Sequence, residues 1–264
     1  MNLTDRIHGE LSALQGKIYR VVESQEEIAT TQLVDSTSEQ IRLEEMLELS
    51  KPRRPEGTDG LHYLLATPFR YPPLKYGSRY GRPFEKSLFY GAMSVNTALA
   101  ESAFYRFVFI NDMATPYPKP LKTQHALFAT RMRTDRGLRL QDRAWEDLHE
   151  ALTDPGSYDA CQSLGTQMRE TGVEAFQFLS ARARQAGLYR LPYGSSHGLD
   201  GVNAGLFTPR ALKDSKPLTR CRLIIIADST TVSMSLTNED GQKSASEFRQ
   251  ETFLVDGVLP HPAS

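Results

Sequence analysis

Apolar positions recur along the chain with two periods, and the changes between them mark out its elements. Ile7, Leu11 and Leu14 lie three to four residues apart and predict a helix over 4–15, closed by Gly16. KIYRVVE alternates apolar and polar positions, which predicts a strand over 17–23. Ser36 and Glu39 stand at capping-box spacing ahead of Ile41, Leu43, Met46, Leu47 and Leu49, so a helix over 37–49 follows. Pro52 and Pro55 stop it, and KPRRPEGTDG reads as a linker.

From Leu61 the composition changes. Residues 62–65 predict a short strand, and the prolines and glycines of TPFRYPPLKYGSRYGRPF then forbid regular helix, placing Arg70 and Arg79 on loops or a short strand. SLFYGAM predicts a strand over 87–93 with Leu88, Tyr90 and Ala92 on one face. Ser94 caps a helix through VNTALAESAFYRFVF, ended by Asn111 and Asp112. Further on come a strand over 123–133, helices over 142–152 and 157–171, and strands over 174–180, 202–207 and 222–227, the last paired with 230–236. Helices and strands mix without a βαβ rhythm, which predicts an α+β fold of mixed, mostly antiparallel sheets with flanking helices. Residues 1–60 read as an N-terminal helical extension, 61–237 as the main domain and 238–264 as a polar tail, peripheral or frayed.

Charge and cysteine usage narrow the classes. The 264 residues carry 31 basic and 32 acidic side chains, a net charge of −1, so no global positive field favours nucleic acid. No run approaches the ~18 apolar residues of a membrane span, and MNLTDRIHGE lacks the apolar centre of a secretory signal, so a cytoplasmic protein is expected. Cys161 and Cys221 stand far apart and the six histidines are scattered, which excludes a disulfide framework or a cysteine zinc site; no metal is expected. The common phosphate-loop and dinucleotide glycine motifs are absent.

The candidate chemistry concentrates between Gly77 and Arg106. Arg79 stands among glycines and aromatics, where the backbone can approach a ligand and a guanidinium fork suits phosphate oxygens. Tyr90 follows on a strand and Glu101 on the next helix, where Glu101 is the only charge between Ser94 and Tyr105. A carboxylate on so apolar a surface is either partly buried with a purpose or exposed at an edge, because burying it without partners is costly. Ser180 ends the strand in EAFQFLSARAR and is followed by Arg182 and Arg184; it either satisfies its own turn or meets a ligand. Asn203 interrupts an apolar strand in GVNAGLFTPRAL, where its amide holds a loop or contacts a ligand. Gly194-Ser195-Ser196-His197-Gly198 matches a nucleophile elbow, but Pro192, Gly198 and Gly201 leave no room for the helix that an elbow needs, so it reads as a surface loop. Trp145 in RAWEDLHEAL fits the apolar face of a helix and reads as core.

YGSRYG, SLFYGAMSVNTALAE, VEAFQFLSARAR and GVNAGLFTPRAL together resemble the RES domain family, whose pattern runs glycine-flanked Arg, strand Tyr, Thr-Ala-Leu-x-Glu and strand-end Ser in that order. The resemblance covers most of residues 17–237; Tyr80 stands where an aromatic is often Phe or Trp. It implies an ADP-ribosyltransferase-like core and cleavage of the nicotinamide–ribose bond of NAD, with the ribosyl group passed to inorganic phosphate, water or a protein. It also implies the toxin half of a toxin–antitoxin pair, with an Xre-like antitoxin as partner. Carried over by position, the family's functional residues are Arg79, Tyr90, Glu101 and Ser180. Glu101, Arg79 and Ser180 are then expected at the catalytic centre, and Tyr90, Arg79, Arg182 and Asn203 around NAD, which is substrate rather than resident cofactor. Arg70 and Arg82 are further possible contacts. A protein ADP-ribosyltransferase and a catalytically silent partner-binding module are the alternatives, and homo-oligomerisation is open.

Overall fold

The computed structural model describes residues 2–24, 34–115 and 117–261. The chain opens with α1 (Leu3–Glu10) and then β1 (Ser12–Glu23). The expected helix over 4–15 is thus half helix and half strand. Leu14 and Ile18, four apart, fit either period, and what decides is pairing: β1 runs antiparallel to β3 (Leu121–Arg139) along nearly its whole length, Leu14 opposite Thr134 and Glu23 opposite His125. Gly137 makes the close approach possible, since a Cβ there would come within 2.3 Å of the Cβ of Leu14.

α2 (Thr37–Ser50) forms as expected, with the Ser36 side chain accepting the Glu39 N–H. Residues 62–65 are not a strand. The His62 ring accepts the Leu64 N–H and starts α3 (Tyr63–Arg70), which buries Leu64, Leu65, Ala66 and Phe69. β2 (Phe89–Ala92) leads into α4 (Val95–Asn111), capped by Ser94 as its sequence demanded. After β3 come a 3₁₀ turn, α5 (His149–Leu152) and α6 (Asp159–Glu170), then β4 (Ala175–Leu179), α7 (Ala181–Gln185) and β5 (Val202–Leu206). Trp145 lies fully buried in the 3₁₀ turn, as expected of a core residue. β6 (Thr219–Ala227), β7 (Thr231–Thr237) and β8 (Lys243–Arg249) complete an α+β fold.

Among the described residues, eight strands form one sheet, in the order β1-β2-β5-β4-β3-β6-β7-β8, with β1 also joined to β3. That extra pairing closes β1, β2, β5, β4 and β3 into a ring, sealed between β1 and β2 at Tyr19 opposite Ala92. β3 is long enough to serve two neighbours on one edge: its first half pairs with β6 and its last residues run parallel to β4. The N-terminal segment is therefore not a purely helical extension, because β1 is an interior strand of the sheet. Nor is everything after residue 237 a frayed tail: β8 pairs along β7, and Phe253 and Leu259 are buried against α4, with Phe253 edge-on to Phe104 at 5.8 Å. The apolar side chains of 253–259, sparse in a polar stretch, are what anchor it. α4 is rich in apolar residues because much of it lies between this segment and the sheet. Among the described residues, no helix is long and apolar enough to cross a membrane, and no cluster of His, Cys, Asp or Glu is suited to a metal.

Candidate active site

A cavity of about 580 Å³ opens beside the ring of strands, between α4, the loop after α3, the turn before β2 and the start of α6. Among the described residues, the cations Arg20, Arg79, Lys86 and Arg182 line it, with His261 and one carboxylate, Glu101. Such an imbalance, in a concavity of this size, suits an anionic ligand.

Glu101 reaches the wall from α4, half-buried, and is held by two donors. The Ser180 hydroxyl donates to Oε1 at 2.7 Å, and the Asn203 amide donates to the same oxygen at 2.6 Å. Oε2 takes neither bond. Three elements converge to make this arrangement. β4 ends at Ser180, whose Oγ also accepts the Ala183 N–H at 2.9 Å and so caps α7. Asn203 stands in β5 directly opposite Phe178 of β4, which sets its amide beside the Ser180 hydroxyl. Thr97, one turn before Glu101, accepts the Gly201 N–H at 2.8 Å, and the Gly201 carbonyl accepts the Ser180 N–H. The carboxylate is a fixed object, not a mobile surface charge.

Ser180 is 0% exposed and is not part of the cavity lining. Its proton is committed to Glu101 and its lone pair to α7. The Ser180 hydroxyl thus meets both readings made of it from the sequence: it satisfies the turn into α7 and it touches Glu101. Asn203, 7% exposed, lines the cavity and also holds Glu101.

Arg79 sits on the tight turn Ser78–Gly81, which pairs its own ends through two backbone hydrogen bonds. Gly77 is required before it: its φ of +78° is left-handed, and a Cβ there would lie 2.2 Å from the Gly81 carbonyl oxygen. The guanidinium donates to the carbonyls of Leu152 at 3.3 Å and Asp154 at 3.0 Å, and lies 4.8 Å above the Tyr158 ring. Arg182, 2% exposed, docks on the same loop. It donates to the Pro155 carbonyl at 3.0 Å and to Gln185 at 2.8 Å, with its guanidinium 3.5 Å over the Phe104 ring. Burial lowers the pKa of Arg182, an effect that the neighbouring Glu101 opposes and Arg79 reinforces. Two cations thus share one region of the cavity, held mainly by main-chain carbonyls and aromatic faces, with Glu101 adding electrostatic support to Arg182.

Tyr90 has a further role besides the one expected of its ring. Its hydroxyl accepts the Tyr80 N–H at 2.8 Å and bonds the Ser78 hydroxyl at 3.0 Å, so it clasps the turn on both sides of Arg79. Its ring borders the cavity, edge-on to Phe178 at 6.1 Å. Burial raises the pKa of its phenol, which therefore stays protonated and able to hold both partners.

The site also recruits residues that the sequence reading passed over. Arg20 of β1 donates to the Tyr90 carbonyl at 3.0 Å and lies 5.1 Å over the Phe89 ring; burial pushes its pKa down to about 10, leaving it charged at neutral pH. Arg20 stands at the middle of the alternating KIYRVVE, between the charges Lys17 and Glu23, a pattern that did not single it out. Tyr105 and Tyr158, which line the other flank, carried no signal either. Arg70 and Arg82 are not in the cavity lining. Arg70 pairs with Glu48 at 2.8 Å and the Pro52 carbonyl, and Arg82 donates to Thr166. Gly194, Ser196, His197 and Gly198 are not in the cavity lining either.

No curated protein matches the chain. The family model described as RES domain matches residues 51–225, a span that contains Arg79, Tyr90, Glu101, Ser180, Arg182 and Asn203. The chain belongs to the RES domain family, and that membership brings with it a general NAD-acting role.

Proposed function

We propose that the chain cleaves the nicotinamide–ribose bond of NAD in this cavity and passes the ribosyl group to inorganic phosphate or water, as a toxin restrained by an Xre-type antitoxin in the cytoplasm. The observation that carries the reading is a carboxylate, Glu101, fixed by two hydrogen bonds to one oxygen in a mostly apolar cavity where arginines and a lysine also line the wall.

The chemistry fits these groups. As the N-glycosidic bond lengthens, positive charge develops on the ribose, and a preorganised carboxylate stabilises it without reorganising. The hydrogen bonds from Ser180 and Asn203 settle one oxygen, so the other is available to the sugar. Nicotinamide departs as a neutral molecule and needs no strong general acid. Arg79 and Arg182 bind the pyrophosphate through guanidinium donors. Ser180 performs no covalent step, since its hydroxyl already serves Glu101 and α7.

Incubating the purified chain with NAD, with and without inorganic phosphate, tests the reading. Free nicotinamide is the expected product. A sugar phosphate that appears only with phosphate marks phosphorolysis, ADP-ribose in both conditions marks hydrolysis, and label on a protein acceptor marks the transferase alternative. Absence of nicotinamide under every condition defeats the proposal. Tyr90→Phe isolates the clasp around Arg79. It keeps the ring but leaves the Tyr80 N–H without its acceptor, so a stability loss of about 1–2 kcal/mol is expected. Turnover should fall about tenfold, because a small misplacement of a substrate-binding group is costly. Wild-type turnover in Tyr90→Phe would show that the turn holds itself.

A further inference from the structure

Tyr105 lies one helical turn beyond Glu101 on α4 and borders the same cavity as Glu101, Arg79 and Arg182. It is 55% exposed, although it is a large aromatic beside a concave site. Its ring is nevertheless braced. Phe104 meets it edge-on at 5.2 Å and 73°, and its hydroxyl lies 3.5 Å from that of Tyr158. The Tyr158 ring carries the guanidinium of Arg79. Tyr105 is therefore oriented by its neighbours while more than half of its surface stays open.

An aromatic whose plane is already set loses little entropy when a ligand covers it, and a flat heterocycle is the partner that covers it best. Tyr90 is a poorer platform. Its hydroxyl clasps the Arg79 turn and its ring packs edge-on to Phe178, so it cannot shift to meet a ligand without releasing that turn. Phe104 is buried under Arg182. Of the aromatics next to Glu101 on α4, Tyr105 alone combines an open ring with a position on the cavity wall.

We propose that Tyr105 is the stacking residue of the cavity: a planar nitrogen heterocycle of the dinucleotide lies on its ring, which Phe104 meets edge-on. The assignment rests on the NAD reading above and makes Tyr105 a determinant of substrate affinity rather than of the bond-breaking step. The stacked ring is either adenine or nicotinamide, which share this chemistry.

Calorimetric titration of the full chain, in a Glu101→Gln background so that NAD is not consumed, tests it. Tyr105→Ala should weaken NAD binding about tenfold, the scale of one lost base–aromatic stack. Tyr105→Phe should recover most of that loss, because the ring rather than the hydroxyl makes the contact. Phe109→Ala, an exposed aromatic on the same helix outside the cavity lining, should leave the affinity unchanged. Parallel titrations with AMP and with nicotinamide identify the ring, which is the one whose binding weakens in Tyr105→Ala. NAD bound equally well by Tyr105→Ala, or weakened equally by Phe109→Ala, overturns the assignment and leaves the NAD reading standing. A chain with Tyr105 intact that binds no NAD overturns both.

Discussion

Glu101→Gln is expected to fold normally and to lose about 1,000-fold in kcat on NAD, or ~4 kcal/mol of transition-state stabilisation. The substitution is close to a clean removal of charge. The glutamine carbonyl oxygen can still accept from Ser180 and Asn203, so the joint between α4, the end of β4 and β5 keeps both hydrogen bonds. What disappears is the negative charge aimed at the sugar. KM should change little, since the effect belongs to the transition state. The measurements are steady-state kinetics of nicotinamide release and a thermal melt. Near-native turnover with an unchanged melting temperature would take Glu101 out of the mechanism, whereas a collapsed melting temperature would make the loss of activity uninformative and call for Glu101→Asp as the second variant. Glu101→Asp keeps the charge but draws it back by one methylene, so its turnover should lie between those of wild type and Glu101→Gln.

Arg79→Ala should raise KM for NAD by about 30-fold, within the span of ~1.5–3 kcal/mol for a charge-assisted hydrogen bond. Arg79→Lys should recover only part of this. A guanidinium spans the carbonyls of Leu152 and Asp154 and still faces Tyr158, while an ammonium is a single compact charge that cannot do all three. The rest of the cavity is little disturbed, because Arg182 has its own anchors on Pro155 and Gln185. The pattern to look for is a KM effect larger than the kcat effect, the reverse of Glu101→Gln. Full recovery in Arg79→Lys would mean that only net charge matters there, and an unchanged KM in Arg79→Ala would remove the residue from substrate binding.

The residues drew attention before any fold was known, and the resemblance to the RES domain family is what joined them into one candidate site. Glu101 stood out as one acid in an apolar helix, Arg79 as a cation among glycines, and Ser180 as a hydroxyl at a strand end, and all three meet around Glu101 and the cavity. Their roles were less legible. Ser180 and Tyr90 were expected beside the ligand, and the structure adds what their hydroxyls hold: Ser180 bonds Glu101 and Tyr90 the turn that carries Arg79. Such a partner lies 79 or 10 residues away in the chain, and no local pattern announces it. Residues 62–65 illustrate the opposite error: a short apolar run fits strand or helix equally, and the His62 cap together with the burial of Leu65 and Phe69 decided for helix.

Local chemistry settled what could be settled locally: the cap and length of α4, the apolar strands, the tight glycine turn before β2, and the set of side chains able to do the work. These follow from steric limits on the backbone and from periodic burial, which act over a few residues. Which strand β1 would join, how 253–259 would be pinned, that Arg20 would enter the cavity, and that the carbonyls of 152–155 would hold two guanidiniums were decided by the tertiary structure. Each of these depends on pairing or packing between segments far apart in the chain, where the free energy comes from surfaces and hydrogen bonds that exist only once both partners are in place.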